Sequence, residues 1–246
     1  MRILASLFSA SNLLLDRSST RLFSSLPPLP TVSQASTDSF MTQIDYGEAV
    51  TRALRLHSVD PQAAESSSIL PVLQAQLSHP DGIRGFFVSY LTEDAPPSSQ
   101  SSPTPPSISP LLIASLSSVP DPADLISLSI MNAIMPSAMV VHYETQAALG
   151  TESDATEGSN KSMAGTSRRT AEKGAEVLRE VRRVHEQQAA VQIDALVRVC
   201  GAEPLEGGEE EGGGEKKVEK EWKDFCRKWG YGKEQLAAIR SLLVDL

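Results

Sequence analysis

The chain has 246 residues, of which 40% are hydrophobic and only 5% aromatic, and its formal net charge is −9. That balance fits a modest helical domain carrying low-complexity insertions. It argues against general binding to a nucleic-acid backbone, which needs a surface of lysine and arginine. The two cysteines, Cys200 and Cys226, are far apart and lack CxxC spacing, which excludes a disulfide framework and reads as two reduced thiols, with a single disulfide as the alternative.

Residues 1–40 stand apart in composition. Over residues 1–37, Arg2, Arg17 and Arg21 face a single acid, Asp16, and serine is abundant. Leu4, Leu7 and Phe8 would share one face of a short helix. An arginine- and serine-rich, acid-poor amphipathic start is the pattern of an organelle transit peptide followed by a linker. Mitochondrial and plastid signals share this composition, although "RLFSS" at 21–25 resembles a mitochondrial presequence cleavage site. The expected helical domain then spans 41–246. Flexible loops are expected at about 95–107, rich in proline and serine, and at 150–167 and 204–217, polar and glycine-rich.

From residue 44 the apolar spacing is helical. Ile44, Val50, Leu54 and His57 share one face over 44–58. Ile69, Leu70, Leu73 and Leu77 follow over 62–78, where Pro71 is expected to break or kink the run. In "HPDGIRGFFVSYLTED", Ile83, Phe86, Phe87, Tyr90 and Leu91 fall at i, i+3, i+4, i+7 and i+8. This predicts an amphipathic helix over about 80–92 and not a strand, with Ser78 and Asp81 as a capping pair and Pro80 in its first turn. Gly82 and Gly85 each cost about 1 kcal/mol against alanine in a helix, which close approach of a second helix would explain.

A short apolar helix is expected over 108–119 and a longer one over 123–149. Leu125–Val141 carries no charge and is the one candidate membrane span. Its short length, its serines, Asn132 and Pro136, and the lack of flanking lysine or arginine favour a buried core helix instead. The longest helix is expected at 166–201, with Val177, Val181, Val184, Gln188, Val191, Ala195 and Val199 as its apolar stripe. Leu178, His185, Ala189, Leu196 and Cys200 widen that stripe, and Gln188 and Asn132 would be buried polar groups. Trp222, Phe225, Cys226 and Trp229 stripe the next helix, which "GYG" at 230–232 terminates. Leu236, Ile239, Leu242 and Leu243 stripe the last. The expected fold is all-α, a bundle of six to eight helices.

No nucleophile elbow, zinc-binding pattern, phosphate loop or dinucleotide fingerprint is present. The sharpest constellation is Met131, Met135, Met139 and His142 along one side of a helix. Thioether and imidazole groups suit Cu(I), so these residues are the weak cofactor candidates. Methionines filling a helical core give the same spacing. Basic residues on the long helix alternate with glutamates, so nucleic acid is not an expected partner. Arg84, Trp222 and Trp229 belong to residue types enriched at interaction hot spots and are the interaction candidates. Trp222 and Trp229 at helical spacing fit an inward-facing core equally.

These features point first to a non-enzymatic, organelle-targeted helical protein, an assembly or accessory factor acting through a protein partner. A cofactor- or metal-binding bundle is the alternative, although the residues name no specific cofactor. An enzyme with an unrecognised site is the third reading, because catalytic groups can converge from distant positions.

Overall fold

The computed structural model describes residues 28–59, 66–93, 108–149, 154–202 and 214–246. Every regular element among them is an α-helix: α1 (Val32–Thr37), α2 (Phe40–Val59), α3 (Ser66–Leu77), α4 (Pro80–Thr92), α5 (Pro110–Ser117), α6 (Ala123–Leu149), α7 (Asp154–Val184), α8 (Glu186–Gly201), α9 (Gly214–Trp229) and α10 (Lys233–Val244). The all-α expectation holds. The count of ten among the described residues exceeds the expected six to eight.

Two local features account for the extra helices. Thr31 opens α1 with a capping box: its hydroxyl accepts from the Gln34 N–H at 3.3 Å, and Gln34 Oε1 accepts from the Thr31 N–H at 2.9 Å. The expected long helix over 166–201 is two helices separated at His185, whose backbone (φ −126°, ψ 44°) leaves the helical region. Two expected loops are also partly helical, since α7 begins at Asp154 and α9 at Gly214. The loop over 95–107 and the transit-like segment over 1–27 lie outside the described residues.

The buried face continues across the break at His185 with two departures. Val177, Leu178 and Val181 are buried before it, and Ala189, Ile193, Leu196 and Cys200 after it. Val191, expected on the core stripe, is 41% exposed, and Gln188 is exposed too. The rest of the expected stripe beyond the break is buried as expected, at Ala195 and Val199 with Ala189, Leu196 and Cys200 beside them.

Residues up to Leu125 form one compact unit and those from Ile126 a second. In the first, α4 is the central element. Gly82, Ile83, Gly85, Phe86, Phe87, Val88, Ser89 and Leu91 are all buried, so the helix is enclosed on nearly every side and not amphipathic as expected. Phe86 stacks on Tyr90 with ring centroids 5.2 Å apart. The side opposite the aromatics is occupied by α2. A Cβ on Gly85 would lie 2.4 Å from the Gln43 carbonyl carbon, and one on Gly47 would lie 2.6 Å from the Gly85 carbonyl oxygen. Glycine is what lets the two backbones meet. The Ser89 hydroxyl donates to the Ile44 carbonyl at 2.9 Å, and Arg55 reaches Glu93 at 3.0 Å, so α2 and α4 run in the same direction. Helix α3 returns the chain between them and packs against both, as well as against α1 and α5. Pro71 does not break it; α3 continues through that residue to Leu77.

In the second unit α6 and α7 are antiparallel neighbours, with Gly174 against Asn132 and Arg168 paired to Glu144. Pro136 lies inside α6 without ending it. Having no N–H, it cannot serve the Asn132 carbonyl one turn earlier. Gly174 packs against that same carbonyl, where a Cβ would come within 2.7 Å of the oxygen. The Asn132 side chain turns back and donates to the Leu128 carbonyl at 2.8 Å. Helices α9 and α10 both pack against α8, and Leu196, Trp222, Ile239 and Leu243 are buried.

Candidate functional site

The polar centre of the first unit is built from residues with no motif in the sequence. Gln43 and Gln76 are both fully buried. Gln76 Nε2 donates to the Gln43 carbonyl at 3.0 Å and to Gln43 Oε1 at 3.1 Å, while Gln43 Nε2 donates to the Ala35 carbonyl at 3.0 Å. The same Ala35 carbonyl lies 2.8 Å from His79 Nε2, and His79 Nδ1 accepts from the Gly82 N–H at 3.3 Å. The bonds define a neutral imidazole with its proton on Nε2. His79, and not Ser78, thus caps α4; the Ser78 hydroxyl donates backward to Ala75 at 2.7 Å. This network ties α1, α2, α3 and the start of α4 into one node. Every member but one finds a partner within it: Gln76 Oε1 is buried without a donor.

Arg84 leaves the same helix toward the surface. Its side chain is 15% exposed, and its NH1 donates to Asp81 at 3.0 Å. Its Nε is buried without an acceptor. A buried guanidinium donor with nothing to bind is costly, on the order of 1–3 kcal/mol, and marks the residue within an otherwise apolar helix.

In the second unit the aromatic end of α9 closes on a thiol pair. Trp222 is buried and its indole N–H donates to Gln192 of α8 at 2.8 Å. Trp229 is half-buried. Gly230 adopts φ 64°, and its N–H donates to the Arg227 carbonyl at 3.1 Å. The Tyr231 N–H donates to the Cys226 carbonyl at 3.2 Å, completing a Schellman turn. Phe225 and Tyr231 pack at 6.2 Å across it. The "GYG" terminator read from the sequence is this turn.

Cys200, at the end of α8, and Cys226 are both buried and free. Hydrogen bonding with Cys226 raises the Cys200 thiol well above its ordinary range, and the same interaction lowers Cys226. Burial opposes ionisation at both, and the Arg240 guanidinium of α10 favours it at Cys200. Burial also pushes the Tyr231 phenol up, and negative charge on the thiol pair pushes it further.

The methionine row runs from the core to the surface. Met135 is 5% exposed, Met131 and Met139 are half-buried, and His142 is exposed near the end of α6. His142 borders a cavity of about 340 Å³ with Val141, Thr145 and Gln146 of α6 and Gly232–Gln235 at the start of α10. Among the described residues no three His, Cys, Asp or Glu side chains are grouped to hold a metal ion. Helix α6 is the one described helix long and apolar enough to cross a membrane, and half of its most apolar window is buried in the fold.

A family model described as "Uncharacterised conserved protein UCP020893" matches residues 45–246. The chain belongs to that family. The match takes in α3 to α10 whole and all but the first turn of α2, and so covers Arg84, the thiol pair and most of the polar node; Gln43 precedes it. No curated protein and no solved structure matches the chain.

Proposed function

We propose that this member of the family is a non-enzymatic, organelle-targeted accessory or assembly factor that acts through a protein partner. The observation that carries the reading is the state of Arg84. Most other polar groups around α4 are spent on helix packing: Gln43, His79 and Ser89 bond within the unit, and Gln76 does so through its amide nitrogen. Arg84 alone in that helix combines a solvent-reaching head with a buried donor that the fold leaves unserved. Sites where a fold departs from full polar satisfaction are where function is expected. Arginine held by one carboxylate, on a rigid helix, is the type of group that anchors an interface. Swinging the side chain out from Asp81 would release Nε to a carboxylate or carbonyl of the partner. The arginine- and serine-rich N-terminus supports delivery to a mitochondrion or plastid, and fluorescence from a full-length fusion compared with one lacking residues 1–23 tests that part. Capture of partners from the native organelle by wild type and Arg84 variants tests the central part.

A second reading is a ligand-binding bundle at the cavity beside His142. The observation in its favour is that His142 and Lys233 border a space of about 340 Å³, within the range of small-molecule sites. Elemental and absorbance analysis of the protein purified from its native source separates the two readings. A stoichiometric metal or chromophore lost on His142→Ala supports this one.

A further inference from the structure

We propose that the basic edge of α9 is a docking surface for an anionic membrane leaflet, on which the protein sits by charge without inserting. Lys216, Lys220, Lys223 and Arg227 fall at i, i+4, i+7 and i+11 of that helix. At 3.6 residues per turn they lie within about 60° of one another around the axis and span roughly 16 Å along it. Lys216, Lys220 and Arg227 are exposed and Lys223 is half-exposed. Trp222 and Cys226, on another face of α9, are buried, and the helix packs against α8. The core thus holds the stripe at the surface in a fixed orientation.

Two carboxylates border the stripe, and an arginine pairs with each. Glu219 meets Arg198 of α8 at 3.3 Å, and Asp224 meets Arg227 at 2.9 Å. Five cations therefore stand against two carboxylates on one edge of a chain whose net charge is −9. Elsewhere the signs alternate. On α7, Arg183 pairs with Glu180 at 2.8 Å, and Glu172 and Glu176 are spread among the other basic residues. The remaining exposed side of α9 also mixes signs, with Lys217, Glu221 and Lys228. Only along the stripe are the charges sorted.

The chemistry of the edge selects its occupant. No apolar or aromatic side chain shares it: Val218, Trp222, Phe225 and Trp229 follow a separate face of the helix. A protein interface is built around a desolvated apolar centre, which this edge does not offer. A nucleic-acid strand calls for aromatic platforms on which bases stack, and these are absent from it too. Lysine is a compact, hydrated point charge that requires no matching geometry. A row of such charges suits a layer of lipid phosphates. The attraction acts within a screening length of about 8 Å at physiological salt, so the acidic remainder of the chain opposes it weakly. Each lysine brought to an anionic leaflet raises partitioning about fivefold.

The test is flotation of the full chain with vesicles of phosphatidylcholine alone, and of phosphatidylcholine with about a third phosphatidylglycerol. The expected result is binding to the second kind only. It is lost as salt rises from about 0.1 M to about 1 M, where the screening length falls from about 10 Å to about 3 Å. Lys220→Gln combined with Lys223→Gln is expected to lower partitioning about 25-fold. Lys217→Gln combined with Lys228→Gln, on the side of mixed sign, is expected to lower it no more than about fivefold. Arg2, Arg17 and Arg21 are common to every protein compared, so the difference between variants is the readout. Lys220→Ala with Lys223→Ala replaces the first pair if that variant does not fold. No binding to the anionic vesicles, equal binding to both kinds, equal losses from the two pairs, or tighter binding to polyuridylate or polyglutamate than to the vesicles would each overturn the proposal.

Discussion

Gly47 of α2 and Gly85 of α4 meet backbone to backbone: a Cβ on Gly47 would fall 2.6 Å from the Gly85 carbonyl oxygen and 2.8 Å from the Ser89 hydroxyl. Neither neighbouring backbone can yield without separating the helices. Gly85→Ala is therefore expected to destabilise the protein by about 1–3 kcal/mol or more through overpacking. Gly158→Ala is the control, because nothing lies within 4 Å of its added methyl. It should be neutral or stabilising by a few tenths up to about 1 kcal/mol. Denaturant midpoints of the two variants check this, and equal effects would refute the packing account.

The buried amides should behave as one unit. Gln76→Ala removes the donor to the Gln43 carbonyl and to Gln43 Oε1, leaving the latter buried without that partner, and should cost about 1–3 kcal/mol beyond the lost packing. A double-mutant cycle with Gln43→Ala is expected to show a coupling of roughly 0.5–3 kcal/mol. Additive effects would mean that the two side chains act separately.

The sequence made some of this legible and hid the rest for identifiable reasons. The all-α class followed from 3.6-residue spacing, as with Ile83, Phe86, Phe87, Tyr90 and Leu91, because a core face leaves a periodic signature. Gly82 and Gly85 announced a close helix approach because glycine in a helix is costly without a reason. Which helix approaches is a tertiary fact, and Gln43 bears no local mark of it. The split at His185 was missed because Val184, Gln188 and Val191 continue a periodic pattern through it. His79 was hidden as a cap because imidazole is an uncommon one, whereas Ser78 and Asp81 matched a familiar pattern. Cys200 and Cys226 were visible as residues, and their burial on two packed helices is a tertiary fact.

Tyr46 should report on the first unit at high pH. Its hydroxyl donates to Asp38 at 2.6 Å, and that bond, with burial and the Asp38 and Asp45 charges, raises its pKa from 10.0 to about 12. Folding favours the neutral phenol, so its contribution is fully present below pH 10 and is lost as pH rises toward 12. The stability difference between wild type and Tyr46→Phe should be flat near neutrality and shrink across that window. Half-exposure of the ring keeps the amplitude small. A difference that stays constant from neutrality to pH 12 would show that the Asp38 bond does not carry the effect.

The central claim is that Arg84 anchors a protein partner. The most direct measurement is quantitative capture from the native organelle with the full chain tagged at its C-terminus, comparing wild type, Arg84→Ala and Arg84→Lys at matched folded concentration. The account predicts a reproducible partner with wild type, and recovery reduced by at least about tenfold with either variant, because lysine keeps the charge but not the planar donors. A partner retained equally by Arg84→Ala, or no partner for the wild-type chain, would contradict it.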